Sequence, residues 1–295
     1  MRAEFPFAPR WLDVPDGRLH YVDEGPRGAD PVLCVHGNPT WSFLFRRVIA
    51  GLSGEHRVVA IDHLGCGLSD KPRGGRYTLA GHAENLERLA LALGLERITL
   101  LVHDWGGPIG LGFARRRPEL VGRLAITNTA AFPARVPLRI RACRAPIVGE
   151  LLVRGANAFA LAATRMALAD PARLSSAARE GLLAPYDSWA NRIAIARFVE
   201  DIPVSERDPS WGELAEIERF LPRLAALPAC VVWGVRDWCF TPAMLAEWRR
   251  RLPRAEVHEL DVGHWIYEEA PDQVLSILAR FLRERPAGAV AGRSS

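Results

Sequence analysis

The segment VHDWGG, residues 102–107, places an acidic side chain where an apolar run ends and two glycines lead into a helical pattern. A reactive side chain on such a tight strand-to-helix turn needs small neighbours, because larger ones would collide there. Asp104 holds the reactive position. A carboxylate is ionised at neutral pH in water, so it can attack carbon without first losing a proton and form an ester. The alternative is that Asp104 caps the following helix, a role that aspartate also favours.

His264 and Asp237 are the partners that such a nucleophile requires. His264 follows the last predicted strand and could act as the general base that activates water on the ester. Asp237 follows the strand that ends at Trp233, and it is favoured as the acid that balances the imidazolium. The other position for the acid holds Asn128, whose neutral amide cannot balance that charge. Asp70 is a weaker competitor, interpreted as a structural turn residue.

Asn38 and Trp105 are candidate hydrogen-bond donors to a leaving anion. Asn38 lies in the loop of LCVHGNPTW, residues 33–41, whose backbone N–H groups could also contribute to an anion hole. Trp105 adds an indole N–H beside the nucleophile. Taken singly, Asn38 could be only a turn residue before Pro39, and Trp105 only a core aromatic.

Short β-branched runs alternate with helical patterns, which predicts a parallel sheet covered by helices on both faces. The predicted strands are 33–35, 57–61, 98–102, 124–127, 229–233 and 256–260. The predicted helices between and after them are 41–52, 79–93, 108–117, 242–251 and 271–285.

The alternation stops after residue 133, and the chain then has only helical patterns to about residue 207. We expect this insertion to form a cap over the carboxyl edge of the sheet, where open α/β sheets bind ligands. The predicted division is a core over 1–133 and 211–285, a helical cap over 134–210, and a disordered tail over 286–295.

Composition narrows the function classes. Hydrophobic residues make up 49% and charged residues 24%, the balance of a globular protein with a real core. A net charge of +4 without a basic stripe that interleaves aromatic residues argues against nucleic-acid binding. The five cysteines show neither CxxC spacing nor a paired histidine, which favours a reducing, cytoplasmic location and argues against zinc. We expect no metal or organic cofactor, no signal peptide and no integral membrane segment.

One basic stretch has two interpretations. Arginines interleave with apolar residues between Arg135 and Arg154. If helical, this surface could dock an acidic partner enzyme or a membrane. The plainer interpretation is a solvated helix face.

Four motifs together resemble the haloalkane dehalogenases: HGNPTW at 36–41, DHLGCGLSDKP at 62–72, HDWGG at 103–107 and GHWIYE at 263–268. The resemblance extends from residue 5 to about residue 282. It implies an α/β-hydrolase fold, with a mostly parallel eight-stranded sheet, helices on both faces and an inserted helical cap. It also implies nucleophile Asp104, base His264, acid Asp237, and leaving-group donors Asn38 and Trp105.

The pairing of acid Asp237 with donor Asn38 resembles the third dehalogenase subfamily, a branch that also contains the β-lactone decarboxylases of bacterial olefin biosynthesis. Stretches at 5–10, 126–133 and 184–203 resemble those decarboxylases more closely. The favoured function is therefore decarboxylation of long-chain cis-β-lactones to cis-olefins and CO2, with possible partner enzymes of that pathway and possible homo-oligomers.

Three other functions stay open. The first is a haloalkane dehalogenase, which hydrolyses carbon–halogen bonds through an alkyl ester of Asp104. An epoxide hydrolase is more remote, because it needs acidic cap tyrosines and the predicted cap contains only Tyr186. A non-catalytic binding protein is the last, although such relics usually lose a catalytic residue.

Overall fold

Eight strands form one sheet in the order β1-β2-β4-β3-β5-β6-β7-β8 in a computed structural model that describes residues 4–285 and 287. The β1–β2 and β2–β4 pairs are antiparallel, and all other pairs are parallel. The strands are β1 (Arg10–Val14), β2 (Gly17–Glu24), β3 (Pro31–Val35), β4 (Arg57–Ile61), β5 (Ile98–His103), β6 (Val121–Thr127), β7 (Ala229–Gly234) and β8 (Glu256–Leu260).

The central strands are buried along their whole length because helices cover both faces of the sheet. Every residue of β3, β4, β5, β6 and β7 is buried. Side chains that alternate along these strands enter two separate apolar cores, one on each face of the sheet. This is the eight-stranded, mostly parallel sheet with helices on both faces that the resemblance implied.

Two strands, β1 and β2, have no counterpart among the six strands predicted from the sequence. In β1 the burial alternates, and Trp11 is 43% exposed at the edge of the sheet. In β2 the polar residues His20 and Asp23 are buried, because they pair with Asp62 and Arg57. Neither strand is therefore a continuous hydrophobic run. β4 and β8 have the predicted bounds, whereas β6 begins three residues earlier than predicted.

Within the described residues, 4–285 and 287, the chain forms twelve α-helices. They are α1 (Arg46–Leu52), α2 (Leu79–Ala92), α3 (Gly106–Arg116), α4 (Leu138–Ala142), α5 (Pro146–Glu150), α6 (Ala158–Met166), α7 (Ser176–Leu183), α8 (Ile193–Glu200), α9 (Trp211–Leu224), α10 (Pro242–Arg251), α11 (Ile266–Glu269) and α12 (Pro271–Glu284). Shorter turns of 3-10 helix occupy 42–45, 118–120, 171–173, 184–186 and 190–192, and a π-helical turn occupies Leu151–Gly155.

The segment between β6 and β7 contains α4 to α9 and, within its described residues, no strand. Among the residues that the structure covers, no helix is both long enough and apolar enough to cross a bilayer. The predicted tail over 286–295 lies, apart from residue 287, outside the described residues.

Candidate active site

Asp104 lies in a strained turn between β5 and α3. Its φ is +54°, in the left-handed region that non-glycine residues seldom adopt. A side chain at Gly106 would bring its Cβ to 1.9 Å from the carbonyl oxygen of Val35, and one at Gly37 would come to 2.0 Å from the Asp104 carboxylate. The two glycines therefore let the backbone of the turn and of the neighbouring loop approach the carboxylate closely.

The Asp104 carboxylate does not cap the helix that follows it. Helix α3 begins without a side-chain hydrogen bond at its N-cap residue, Trp105. Instead, Asp104 Oδ1 accepts a hydrogen bond from the backbone N–H of Asn38 at 2.6 Å. The second carboxylate oxygen, Oδ2, lies 3.5 Å from Nε2 of His264. The side chain thus points towards the histidine with which the sequence pairs it.

His264 joins the two carboxylates. Its Nδ1 lies 2.7 Å from Oδ2 of Asp237, while its Nε2 faces Asp104. Its ring is stacked between two other rings, His103 at 4.4 Å with an interplanar angle of 28° and Phe240 at 5.2 Å with an angle of 16°. All three charged side chains are buried, so this stack and the two carboxylates hold the orientation of the imidazole.

Asp237 is fixed by backbone and side-chain donors. Its Oδ1 accepts hydrogen bonds from the backbone N–H groups of Cys239 at 2.7 Å and Phe240 at 3.1 Å. Its Oδ2 also accepts a hydrogen bond from Nδ2 of Asn128 at 2.9 Å. Asn128 in turn accepts the N–H of Gly234 at 2.8 Å, which ties the end of β6 to the end of β7.

Asn128 is therefore a residue of the site that sequence reasoning missed. The sequence presents Asn128 only as a position for the acid, which a neutral amide cannot be. The structure brings it into contact with the favoured acid. The signal in the sequence was its place directly after β6, since the carboxyl ends of neighbouring parallel strands meet at one edge.

The electrostatics of the site favour a protonated His264. Burial by itself lowers the pKa of His264, but the charge of Asp237 and the nearby Asp104 carboxylate outweigh burial and raise the pKa to about 10. The neighbouring His103 is different, because burial and the charge of His264 lower its pKa well below the ordinary value. At neutral pH the stack thus pairs an imidazolium with a neutral imidazole.

The two candidate donors lie beside Asp104. One side-chain N–H of Asn38 donates to the carbonyl of Ile195 at 3.2 Å, which leaves the other amide hydrogen for a ligand. Trp105 is partly buried and meets the ring of Phe198 edge to face at 6.0 Å. Asn38 and Trp105 both line the cavity that contains Asp104.

A cavity of about 340 Å³ opens above Asp104 and His264. Its walls come from the carboxyl end of the sheet and from the helices between β6 and β7, and most of them are apolar. The larger apolar side chains of the lining include Phe132, Ile140, Leu152, Val153, Phe159, Met166, Leu214, Trp238, Phe240, Met244 and Trp265. Such a lining suits a hydrocarbon substrate with one polar reacting group.

The remaining polar candidates lie elsewhere. Asp70 accepts a hydrogen bond from the backbone N–H of Arg18 at 3.0 Å, consistent with a structural turn. The Tyr186 hydroxyl donates to the carbonyl of Thr40 at 2.9 Å, and Tyr186 is not among the residues that line the cavity. All five cysteines are free. Within the described chain, no cluster of three or more His, Cys, Asp or Glu side chains could hold a metal ion.

Comparison with known proteins identifies the family of the chain. Residues 30–271 match the family model of the alpha/beta hydrolase fold. The chain is 42% identical to a cis-3-alkyl-4-alkyloxetan-2-one decarboxylase of Shewanella oneidensis, over 95% of this chain and 89% of that protein. It is 32% identical to haloalkane dehalogenase 2 of Mycobacterium tuberculosis, over 94% of this chain and 96% of that protein.

The crystal structure of haloalkane dehalogenase DbeA from Bradyrhizobium elkani superposes with a TM-score of 0.84 at 26% identity, covering 93% of this chain and 97% of that one. The family match covers most of the chain, and the relatives in sequence and in structure are decarboxylases and dehalogenases of this fold. The chain is therefore an enzyme of the alpha/beta hydrolase family, in the group formed by the cis-3-alkyl-4-alkyloxetan-2-one decarboxylases and the haloalkane dehalogenases.

Proposed function

We propose that the protein decarboxylates long-chain cis-3-alkyl-4-alkyloxetan-2-ones, the cis-β-lactones, to cis-olefins and CO2. The observation that carries the proposal is the Asp104 carboxylate at the base of an apolar cavity, beside two N–H donors. The 42% identity to a decarboxylase of this name supports the choice of substrate. In this proposal the catalytic residues are Asp104, His264 and Asp237, and Asn38 and Trp105 bind the released anion.

The reaction proceeds in two steps. In the first, an oxygen of Asp104 bonds to the ring carbon that carries the ring oxygen, and that carbon–oxygen bond breaks to leave a free carboxylate. In the second, the bond between this carboxylate and its neighbouring carbon breaks, and its electrons form the double bond. In the same step the bond between the substrate carbon and the Asp104 oxygen breaks, its electrons return to the aspartate, and CO2 leaves. No water is consumed and no net proton is transferred.

The cis geometry of the product follows from the stereochemistry of these two steps. Attack by Asp104 from behind inverts the oxygen-bearing carbon. Loss of the carboxylate and the aspartate from opposite sides then gives the same outcome as a direct syn loss of CO2 from the ring. A cis-lactone therefore yields a cis-olefin.

Protonated His264 suits this route. An imidazolium 3.5 Å from Asp104 stabilises the aspartate when the ester breaks and its charge returns. Asn38 and Trp105 stabilise the carboxylate formed in the first step. The helices between β6 and β7 supply the apolar walls, and we assign residues 134–210 as the cap and the flanking parts, 1–133 and 211–285, as the core.

Haloalkane dehalogenation is the second candidate, and the position of Nε2 of His264 favours it. When Asp104 becomes an ester it loses its charge, and the pKa of His264 falls because one of the charges that raise it is gone. Neutral His264 can then activate water on the ester, and Asn38 and Trp105 would hold the halide. The 32% identity to a dehalogenase supports this route.

Product analysis in water labelled with oxygen-18 separates the two functions. The purified protein is incubated with a dialkyl cis-β-lactone and, separately, with haloalkanes. The lyase forms olefin and CO2, and no label enters Asp104. A dehalogenase releases halide, and label enters the Asp104 carboxylate, because water attacks the ester carbonyl. Halide release with an unchanged β-lactone would overturn the proposal.

The setting of the reaction is part of the same proposal. We propose that the enzyme acts in bacterial olefin biosynthesis, in the cytoplasm, beside the enzymes that make the β-lactone. Cell fractionation, together with loss of olefin on deletion of the gene, tests this assignment.

A further inference from the structure

Large apolar side chains are exposed on the helices that cover the cavity. Leu138 on α4 is 72% exposed, Ile147 on α5 is 75% exposed, and Leu151 in the π-helical turn is 58% exposed. Ile147 and Leu151 are four residues apart on consecutive helical turns, so they share a face. We call Leu138, Ile147 and Leu151, with the exposed arginines of the same segment, the outer helical surface. These arginines are Arg135, Arg139, Arg141 and Arg165. The fold of this chain leaves the apolar side chains of this surface largely exposed to water.

The positive charge of the protein is concentrated on the same helices. Residues 134–169 contain six arginines and no lysine, and Glu150 is their only acidic residue. The net charge of the whole chain is +4, so the remaining residues together carry slightly more negative than positive charge. The outer helical surface is thus a cationic region on an otherwise balanced protein.

Most of these arginines have no carboxylate partner. Arg144 pairs with Asp208, and Arg154 pairs with Glu150. The other four form no ion pair with any described residue; they are Arg135, Arg139, Arg141 and Arg165, and all of them are exposed. Unpaired guanidinium groups beside exposed aliphatic side chains are complementary to a surface that presents anionic groups above hydrocarbon.

The outer helical surface also borders the cavity. Arg139 and Ile140, next to Leu138 in α4, line the cavity, and so does Leu152, next to Leu151. A surface that held Leu138 and Leu151 would therefore lie beside the cavity wall. An apolar molecule could pass between that surface and Asp104 with little exposure to water.

We propose that the outer helical surface docks onto an anionic lipid bilayer, with the leucine and isoleucine side chains in the headgroup region and the arginines on lipid phosphates. A lipid surface fits better than a protein partner, because exposed aliphatic side chains, arginines without ion-pair partners and the wall of an apolar cavity occur together on these helices. Delivery of a β-lactone from the bilayer rests on the proposed function, whereas the docking itself does not.

Flotation of the full-length protein with vesicles tests the docking without any substrate. One set of vesicles contains phosphatidylcholine alone, and the other contains phosphatidylcholine with phosphatidylglycerol. We expect the protein to float with the phosphatidylglycerol vesicles, to bind the neutral vesicles at least tenfold more weakly, and to dissociate at high salt.

Two sets of variants separate the apolar and the charged contributions. The triple variant L138S/I147S/L151S should bind anionic vesicles at least tenfold more weakly, whereas L91S, which alters a leucine 49% exposed on α2, should bind like the wild type. R141S/R165S should lose about fivefold per arginine. R88S/R254S, which removes two exposed, unpaired arginines elsewhere, should lose much less.

Three results would overturn the proposal. The first is that the protein does not float with anionic vesicles. The second is that the variants of the outer helical surface and their controls weaken vesicle binding equally. The third is self-association, seen in light scattering, that the triple variant abolishes. The last result would assign the surface to a protein interface. If flotation depends on this surface but no β-lactone is consumed, the docking stands and the proposed function falls.

Discussion

Nδ2 of Asn128 lies 2.9 Å from Oδ2 of Asp237, on the same carboxylate oxygen that faces Nδ1 of His264 at 2.7 Å. Two donors therefore converge on one oxygen, while backbone N–H groups hold the other. This arrangement fixes the plane of the Asp237 carboxylate and, through it, the direction of the His264 ring. Asn128 does not contact the cavity, so it is a positioning residue.

Replacing Asn128 by alanine should lower kcat by about tenfold to a hundredfold and leave KM nearly unchanged. The estimate follows from the 1.5 to 3 kcal/mol typical of a hydrogen bond to a charged group, if the whole loss acts on the transition state. Steady-state kinetics with the best substrate gives both constants. The pH profile of kcat should also shift to lower pH, because a freer Asp237 stabilises the His264 imidazolium less.

Asn157→Ala is the matched control. Asn157 also has a left-handed backbone, with φ of +53° against +30° at Asn128, and its amide also donates within the protein, to the carbonyl of Tyr186. Both substitutions remove a buried amide from a strained position, but Asn157 makes no contact with Asp237. Equal losses of activity in the two variants would show that Asn128 acts only through stability.

His264→Phe should separate the hydrolytic from the eliminating reaction. With a haloalkane, Asp104 can still form the alkyl ester, but no base activates water, so turnover should fall by about a hundredfold to ten-thousandfold. The intact protein should then gain the mass of the alkyl group. With a β-lactone, CO2 should still be released, more slowly, and no adduct should accumulate because the second step needs no water. Asp104→Ala is the control, and it should give neither adduct nor product.

The free energy of unfolding should fall as pH rises from about 6.5 towards 10, because His264 loses its proton over different pH ranges in the folded and unfolded states. The folded state raises the pKa of His264 to about 10 from an ordinary value near 6.5, so between these values the folded protein holds a proton that the unfolded chain has released. The stabilisation is complete below pH 6.5 and is lost as pH rises towards 10. Between about pH 7 and 8, the free energy of unfolding should fall by about 1.4 kcal/mol per pH unit more in the wild type than in His264→Gln.

Urea unfolding at several pH values in this window gives the two slopes. The window avoids other groups, because the buried histidines with lowered pKa, such as His63 and His82, change stability only below their ordinary pKa. The buried cysteines add their own effect only near and above the pKa of a free thiol, about 8.5. Parallel slopes in wild type and variant would contradict a raised pKa of His264.

The sequence predicted the parts of the fold that local patterns encode. Strands β4 and β8 and helix α10 have the predicted bounds, because each is a clear periodic or apolar run between turn residues. The approach of Asp104, His264 and Asp237 also followed from chain order, since each lies in a loop that follows the carboxyl end of a parallel strand of one sheet.

The rest depends on contacts between residues distant in sequence. Strand β2 was not visible because His20 and Asp23 are buried only with the help of Asp62 and Arg57. In the sequence Asn128 is only a neutral residue after β6. Its contact with Asp237 is visible only once β6 and β7 are paired. The stacking of His103 and Phe240 on His264 has no local signature, because it joins the end of β5 to two separate loops of the carboxyl edge.

Cavity shape should determine the length of the alkyl chains that the enzyme accepts. Ala163 on α6 lines the cavity, as do two other alanines of the same helix, Ala158 and Ala162. Ala163→Phe places a phenyl ring in that space, and steric conflicts of this kind typically cost 1 to 3 kcal/mol. We expect kcat/KM for a long-chain β-lactone to fall by about fivefold to a hundredfold, while a short-chain lactone is turned over as before. Ala156→Phe is the control, because Ala156 is exposed and does not line the cavity. If Ala163→Phe lowers the rates for long and short substrates equally, the alkyl chain does not occupy this part of the cavity.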